Sequence, residues 1–178
     1  MTPQNIAAIF ACPLERAVKW HPHLAAAMDR FEIDTPLRQA AFLAQVGHES
    51  GALRYVREIW DPGSCPWQEK YEGRADLGNV QSGDGARFKG RGLIQITGRA
   101  NYRACGLALG LDLETTPELL ELPEWACFSA GWFWRERRLN LFADQRDMHA
   151  ITKKINGGYN GIAARLALYA AAKKELRA

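Results

Sequence analysis

The sequence predicts a mainly α chain with a minor β component, of class α+β, on three observations. A threonine followed by proline recurs at Thr2-Pro3, Thr35-Pro36 and Thr116-Pro117, a helix start in which the hydroxyl caps free amides and the proline needs no acceptor. Apolar residues then return every three or four positions after most of these starts. One stretch, Phe88 to Tyr102, reads differently: glycines at 90, 92 and 98 bracket Leu93-Ile94-Gln95-Ile96-Thr97, which predicts a short strand between tight turns. At 178 residues the chain can bury a sizeable core. We expect one domain over 1–178, with 103–145 a candidate small helical lobe.

In chain order, Ile6, Ile9 and Phe10 give a short first helix, and Pro13 restarts the chain for Leu14, Ala17 and Trp20. His21-Pro22-His23 should interrupt that stripe before Leu24, Ala25, Met28 and Phe31 form a third. The two histidines, at i and i+2, are badly spaced for joint metal ligation on a helix, so surface or capping roles fit them better. From Thr35-Pro36 to Val46 the helix is apolar around most of its circumference and should be central and buried.

That helix runs out at Gly47-His48-Glu49-Ser50-Gly51, with Gly51 a natural C′ residue. An acid in a last helical turn opposes the helix dipole by a few tenths to ~1 kcal/mol. Glu49 is therefore placed against local preference, as functional groups often are; a glutamate at a fraying end is the bland alternative. Glu58 follows nine residues later. At about 100° per residue one continuous helix would put the two on opposite faces, so a shared cleft requires a break, which Gly51 can supply.

Pro62-Gly63 and Pro66 mark a loop, and Gly73 to Gly85 is a long turn-rich segment of the kind used for binding loops or lids. Thr116-Pro117 and Pro123 start two further helices, the second carrying Trp125, Phe128, Ala130, Trp132, Phe133 and Trp134. Aromatics at that spacing are more often core than carbohydrate platform. Asp144 to Ile155 reads as a helix stopped at Asn156-Gly157-Gly158, and Ile162, Arg165, Leu166 and Tyr169 run along a final one.

Composition narrows the function classes. Hydrophobic content of 47% and charged content of 24% are globular values, and no uncharged apolar run spans a bilayer, so no stable membrane association is expected. A net charge of +3 is too slight for a nucleic-acid binder. Four cysteines at 12, 65, 105 and 127 lack C-x-x-C spacing, so neither a metal nor a cofactor is indicated, and scattered thiols suit a reducing cytoplasm. Met1 to Asn5 shows no readable signal peptide; we expect synthesis in the cytoplasm, a monomer, and separate delivery to any substrate outside it. On the predicted strand, Gln95 and Thr97 share a polar face with Arg91, Arg99 and Asn101 nearby. An amide and a hydroxyl suit a neutral, hydroxyl-rich ligand better than a phosphate; the alternative is an edge hairpin with a solvated side.

Three segments, Phe42-Leu43-Ala44-Gln45-Val46-Gly47-His48-Glu49-Ser50-Gly51, Phe88 to Tyr102 and Ile155-Asn156-Gly157-Gly158, together resemble glycoside hydrolase family 19, the chitinase family that also includes many phage endolysins. Lys89 to Gly98 is the specific part. The resemblance implies a lysozyme-like, two-lobed helical domain with a small antiparallel sheet lining the cleft. It also implies Glu49 as general acid and Thr97 as a hydroxyl holding the attacking water. Gln95, Asn101 and Asn156 match substrate-contacting amides, Tyr102 is counted with the substrate-binding set, and Arg165 matches the arginine that pairs with the catalytic glutamate. Glu58 is taken as the second carboxylate, with Glu69 and Glu72 as alternatives because plant-type members have longer spacing. Members often carry an acid just after the Asn-Gly-Gly turn, where this chain has Asn160. The implied chemistry is inverting, with carboxyls roughly 6.5–9.5 Å apart. A helix C-terminus beside an apolar helix favours a protonated Glu49, and a contact with Arg165 opposes it.

The expected substrate is the β-1,4 glycan of bacterial peptidoglycan, cut by a phage or prophage endolysin released through a route such as a holin. A chitinase acting on N-acetylglucosamine polymers is the alternative in the same chemistry. A non-catalytic glycan-binding relative is a third reading, against which Glu49 and Thr97 argue. Gln95 and Thr97 are expected to face Glu49 and Glu58 across the cleft.

Overall fold

Local capping sets the first helices. In the computed structural model, which describes residues 1–61 and 63–178, Thr2 accepts from the Asn5 amide while the Asn5 side chain returns to the Thr2 backbone, opening α1 (Pro3–Phe10). Helix α2 (Leu14–Arg30) runs straight through Pro22, so the expected interruption at His21-Pro22-His23 does not occur. A proline inside a helix costs ~3 kcal/mol, but Trp20, Leu24, Ala27 and Met28 are all buried on one stripe against α1 and α6 (Pro123–Glu136). Burying the large ones, Leu24 and Met28 among them, contributes about 1.5–3 kcal/mol each, enough to keep the helix whole.

Helix α3 (Pro36–Glu49) is capped by Thr35, and every residue from Ala40 to Gly47 is buried. It is the central helix, packed along α9 (Ile162–Leu176). Helix α7 (Leu139–Asp144) packs against it and α8 (Met148–Asn156) against α7 and α9, while α4 (Asp84–Arg87) lies on the Pro66–Tyr71 turn and α5 (Arg99–Leu109) on α6. Three 3₁₀ turns, Pro66–Tyr71, Ala75–Leu77 and Pro117–Glu121, complete the order, so Thr116-Pro117 opens a 3₁₀ turn and not an α-helix. The expected helix from Asp144 to Ile155 is divided: Arg146 is left-handed, and the Asp147 carboxylate accepts from the Ala150 amide to start α8 afresh. Buried residues from α1 to α9 form one connected hydrophobic cluster, in which Phe42 meets Trp134 edge-on at 5.4 Å between ring centres. Pro62 of the expected Pro62-Gly63 loop lies outside the described residues.

The predicted strand at 93–97, and with it the small antiparallel sheet, is not formed. Gly92 to Gln95 is a turn, and among the described residues β pairing is limited to the isolated bridges Arg57–Arg91 and Arg91–Ile96. Gly92 takes φ +93°, which bends the chain where a strand would continue. Gln95 is exposed between buried Ile94 and Ile96, but Leu93 and Ile94 are adjacent and both buried, so the alternation breaks inside the turn. Backbone partners also come from separate segments: Gly92 N donates to Val56 O at 2.8 Å and Leu93 N to Ala126 O at 3.4 Å.

Two arginines, Arg91 buried and Arg99 partly so, fix this turn. Arg91, 4% exposed, donates to Glu121 at 2.8 Å, to Arg87 O at 2.7 Å and to the Tyr102 hydroxyl at 3.1 Å. Arg99 donates to both oxygens of buried Asp84, at 2.9 and 2.5 Å, and its backbone amide donates to Asn79 Oδ1 at 2.9 Å. The Arg99 hydrogen bond, with backbone amides helping and burial opposing, holds the Asp84 carboxyl below its ordinary range. A depressed folded-state value stabilises the fold above the unfolded value of about 3.9 and ceases to do so as pH falls through the folded value. We therefore expect Asp84→Asn to lower unfolding free energy by about 2–3 kcal/mol at pH 7. In urea titrations its deficit against the parent should shrink below about pH 4; a deficit constant down to pH 2 would remove this pair as the lock.

Candidate active site

Glu49 ends α3 on the face that meets α9, and Gln45 lies one turn before it. Gln45 is fully buried. Its Nε2 donates to Thr152 Oγ1 at 3.1 Å on α8, and its Oε1 accepts from Arg165 Nη1. Arg165, only 2% exposed, sends Nη2 to Glu49 Oε1 at 2.5 Å and Nε to the Asn160 carbonyl at 3.3 Å. One guanidinium thus ties α9 and the turn at Asn160 to the helix that carries the glutamate. The Asn160 backbone serves Arg165 as an acceptor at the place where an acid had been expected. His48, beside Glu49, is pushed below its ordinary value mainly by burial and next by Arg165, with Glu49 opposing.

The Asn156 amide closes the turn that supplies that carbonyl: Oδ1 accepts from Gly158 N at 2.9 Å and Nδ2 donates to Asn160 O at 3.0 Å. Arg165 pairs with Glu49 as anticipated, but its place in the substrate-binding set is corrected, because it is buried and its contacts are all within the protein. Asn156 likewise shapes the turn.

The break between the two glutamates is sharper than a single glycine. Gly51, Ala52 and Leu53 take φ of +57°, +60° and +64° in succession. Non-glycine residues in that region cost of order 1–2 kcal/mol each. Ser50 braces them: its hydroxyl donates to Val46 O at 2.6 Å and accepts from Leu53 N at 2.9 Å, while Leu53 itself is buried. The chain leaves this turn in a new direction and reaches Glu58, half-buried beside the 88–102 stretch. Glu58 N donates to Gly90 O at 2.8 Å, and Gly90 N donates to Glu58 Oε2 at 3.2 Å. Buried Gln68 donates to Glu58 Oε1 at 2.9 Å and to Ile59 O at 2.6 Å. The Tyr71 phenol is raised by burial first and by Glu58 second.

Of the alternatives, Glu69 is exposed. The Glu72 carboxylate instead accepts from the amides of Gly83 and Gly85, at 2.6 and 2.8 Å, pinning the 73–85 loop.

Gln95, Thr97 and Asn101 line one cavity of about 180 Å³, together with Trp132, Phe133 and Arg137. Asn101 Nδ2 donates to Thr97 O at 2.7 Å. The Gln95 side chain lies against the bare Cα of Gly90, where a Cβ would collide with its amide, so Gln95 abuts the peptide that holds Glu58. Glu49 belongs to the other network, across the strained turn. Tyr102 is corrected: it is fully buried, its hydroxyl donates to Lys89 O at 2.6 Å and accepts from Arg91, and burial raises its phenol. It braces the stretch and offers no atom to a ligand.

Sequence reasoning passed over Gln45, Gln68 and Arg137. Gln45 did carry a signal, as the one polar side chain in the run Ala40 to Gly47. Gln68 and Arg137 sit among ordinary polar neighbours and carry none. Trp132 and Phe133 are core, each 6% exposed, and also wall the cavity.

Residues 16–160 match the profile of glycoside hydrolase family 19, described as chitinase class I. A glycosyl hydrolase family 19 domain-containing protein of Haemophilus influenzae is 36% identical over 160 residues, covering 76% of this chain and 78% of that protein. An endochitinase of Arabidopsis thaliana is 40% identical over 122 residues, 67% of this chain and 38% of the plant protein, so the chain spans well under half of that relative. Chitinase C of Streptomyces griseus superimposes with a TM-score of 0.76 at 23% identity over 99% of this chain and 76% of that one. A second bacterial family 19 chitinase does so at 0.77 and 22% identity, over 98% and 94%. At such identities the two structures establish the fold, while the profile and the Haemophilus relative establish kinship. The chain is a glycosidase by descent and belongs to glycoside hydrolase family 19.

Proposed function

We propose that this chain cleaves the β-1,4 glycan strands of bacterial peptidoglycan by single displacement, as an endolysin delivered to the wall by a separate route such as a holin. Glu49 is the general acid, Glu58 the general base, and Thr97 positions the water. The observation that carries this reading is the pairing of two carboxylates nine residues apart, each held by its own buried side chain, Arg165 or Gln68, on either side of a strained turn. Among the described residues Glu49 Oε2 receives no hydrogen bond, so it is the oxygen available to protonate a leaving group. Glu58 accepts one bond on each oxygen, and a carboxylate has about four acceptor sites, which leaves room for a water. Protonation of the glycosidic oxygen, water attack from the opposite face and proton uptake by Glu58 invert the anomeric centre.

A wall substrate is favoured over chitin by the net charge of +3, which suits an anionic polymer. The second reading, a chitinase, has its support in the relatives, several of which are named endochitinases.

The test is product analysis. Muropeptide mass spectrometry should show glycan-strand cleavage, with the first-formed reducing end in the α configuration by NMR; reducing ends from colloidal chitin but not from peptidoglycan would select the second reading. Glu49→Gln should lose about 10²–10⁴ in rate, Glu58→Ala a comparable factor, and Glu69→Ala little. Wild-type lysis by Glu49→Gln would end the assignment and favour a glycan-binding role, and a mild Glu58→Ala would move the base elsewhere. Gly90→Ala should displace Gln95 while leaving both glutamates in place, lowering kcat/KM about tenfold, or ~1.4 kcal/mol, with Tm nearly unchanged; normal kinetics in that variant would detach Gln95 from the reaction.

A further inference from the structure

Three buried or nearly buried arginines of this fold each meet a carboxylate: Arg91 with Glu121, Arg99 with Asp84, and Arg165 with Glu49. Arg137 does not. It follows the last turn of α6, is half-buried, and lines the cavity that holds Gln95, Thr97 and Asn101. Its guanidinium lies 3.6 Å from the Phe133 ring centre. The nearest acid in sequence, Glu136, is engaged by Arg135 at 3.5 Å, and among the described residues no side chain accepts from Arg137. Burial pushes the Arg137 guanidinium below its ordinary value, with Glu136 only partly opposing.

A cation taken partly out of water without a counter-ion is costly. Stacking on an aromatic face recovers about 0.5–2 kcal/mol, but it satisfies none of the five N–H donors, which lie in the guanidinium plane and point edgewise. A cavity with an amide, a hydroxyl and an unsatisfied fork therefore matches a sugar that also carries an anion. Chitin carries none. Peptidoglycan does, on the lactyl group of its muramic acid when free and on the peptide attached there.

We propose that Arg137 is a specificity-determining residue that receives a carboxylate borne by the glycan strand. The inference rests on the peptidoglycan reading above and names the group that selects it. Bidentate arginine–carboxylate geometry gives both energy and orientation, and the Phe133 face holds the fork ready for it.

Binding separates this from catalysis. In full-length chain carrying Glu49→Gln, dissociation constants are measured by calorimetry for three ligands: a peptide-bearing muramyl oligosaccharide, the same strand stripped by an amidase to leave the lactyl carboxylate, and an N-acetylglucosamine hexamer. Adding Arg137→Ala should weaken the carboxylate ligands about tenfold and the neutral hexamer less than about twofold. Arg137→Lys should restore part of the loss. Weakening of the stripped strand alone assigns the free lactyl carboxylate, weakening of the peptide-bearing strand alone assigns the peptide, and weakening of both assigns a site that takes either carboxylate. Equal loss for all three ligands, or loss for none, overturns the inference. Hydrolysis of peptidoglycan by the wild-type chain is followed separately. Its absence would sink the substrate reading, whereas hydrolysis combined with an inert Arg137→Ala would sink only this inference.

Discussion

A permanently charged guanidinium buried between α3 and α9 is the constraint on which the rest of this structure turns. Removing such a charge from water costs several kcal/mol, and the fold can carry it only by surrounding it with acceptors. Arg165 collects three, from Gln45, Glu49 and the Asn160 carbonyl, and each belongs to a part of the chain that must then stay in register. Gln45 and Glu49 fix the rotation of α3. Asn160 fixes the turn after α8, which the Asn156 amide closes. Thr152 on α8 satisfies the remaining end of the Gln45 amide. The same contacts that make the cation tolerable hold the glutamate at the edge of the core, with one oxygen committed and the other open.

The second carboxylate is held by different physics. Glu58 lies on an irregular segment, so its position comes from a neighbour's backbone: the Gly90 peptide both accepts from and donates to it. That peptide is itself fixed by Arg91 and Arg99, whose carboxylate partners sit at Glu121 and Asp84. Because Gly90 has no side chain, Gln95 can lie directly against it, and the Gln95 amide and the Glu58 carboxylate share one support. Between the two halves runs the left-handed turn at Gly51 to Leu53. Its strain is offset by the burial of Leu53 and the two hydrogen bonds of Ser50. A relaxed helical continuation would have carried Glu58 to the far side of α3.

What could be read in the sequence follows the range of the forces involved. Caps are local, so Thr2, Thr35 and the stop at Gly51 were legible. Periodicity is nearly local, so the buried α3 and the final helix were legible too. The resemblance carried Glu49, Thr97 and the Arg165 partnership as expectations; the structure shows the partnership as a contact. Failures lie where distant contacts outvote local preference. Pro22 sits within α2 because the stripe on either side is buried. The Leu93 to Thr97 stretch, strand-like in composition, bends into a turn because its backbone groups find partners at Val56 and Ala126. Tyr102 reads as a ligand contact from its neighbours in sequence and proves to be a brace, since only tertiary structure reveals that its hydroxyl is already engaged.

Tyr102, which sequence offered as a ligand contact, and Arg137, which sequence did not single out, differ for a general reason. A polar group acts on a ligand when the protein leaves part of its hydrogen-bonding capacity unused, and sequence reports the group but not the remainder. Tyr102 has its hydroxyl donating to Lys89 O and accepting from Arg91, which leaves nothing to offer. Arg137, in the unremarkable run Arg135-Glu136-Arg137-Arg138, has its face on Phe133 and lines a cavity shared with Gln95 and Thr97. The identity of a binding residue in this fold is thus set by subtraction, as what the internal network does not consume. Arg165 obeys the same rule from the other side: three of its five N–H donors go to protein acceptors and its side chain is buried, so what the structure shows it holding is Glu49.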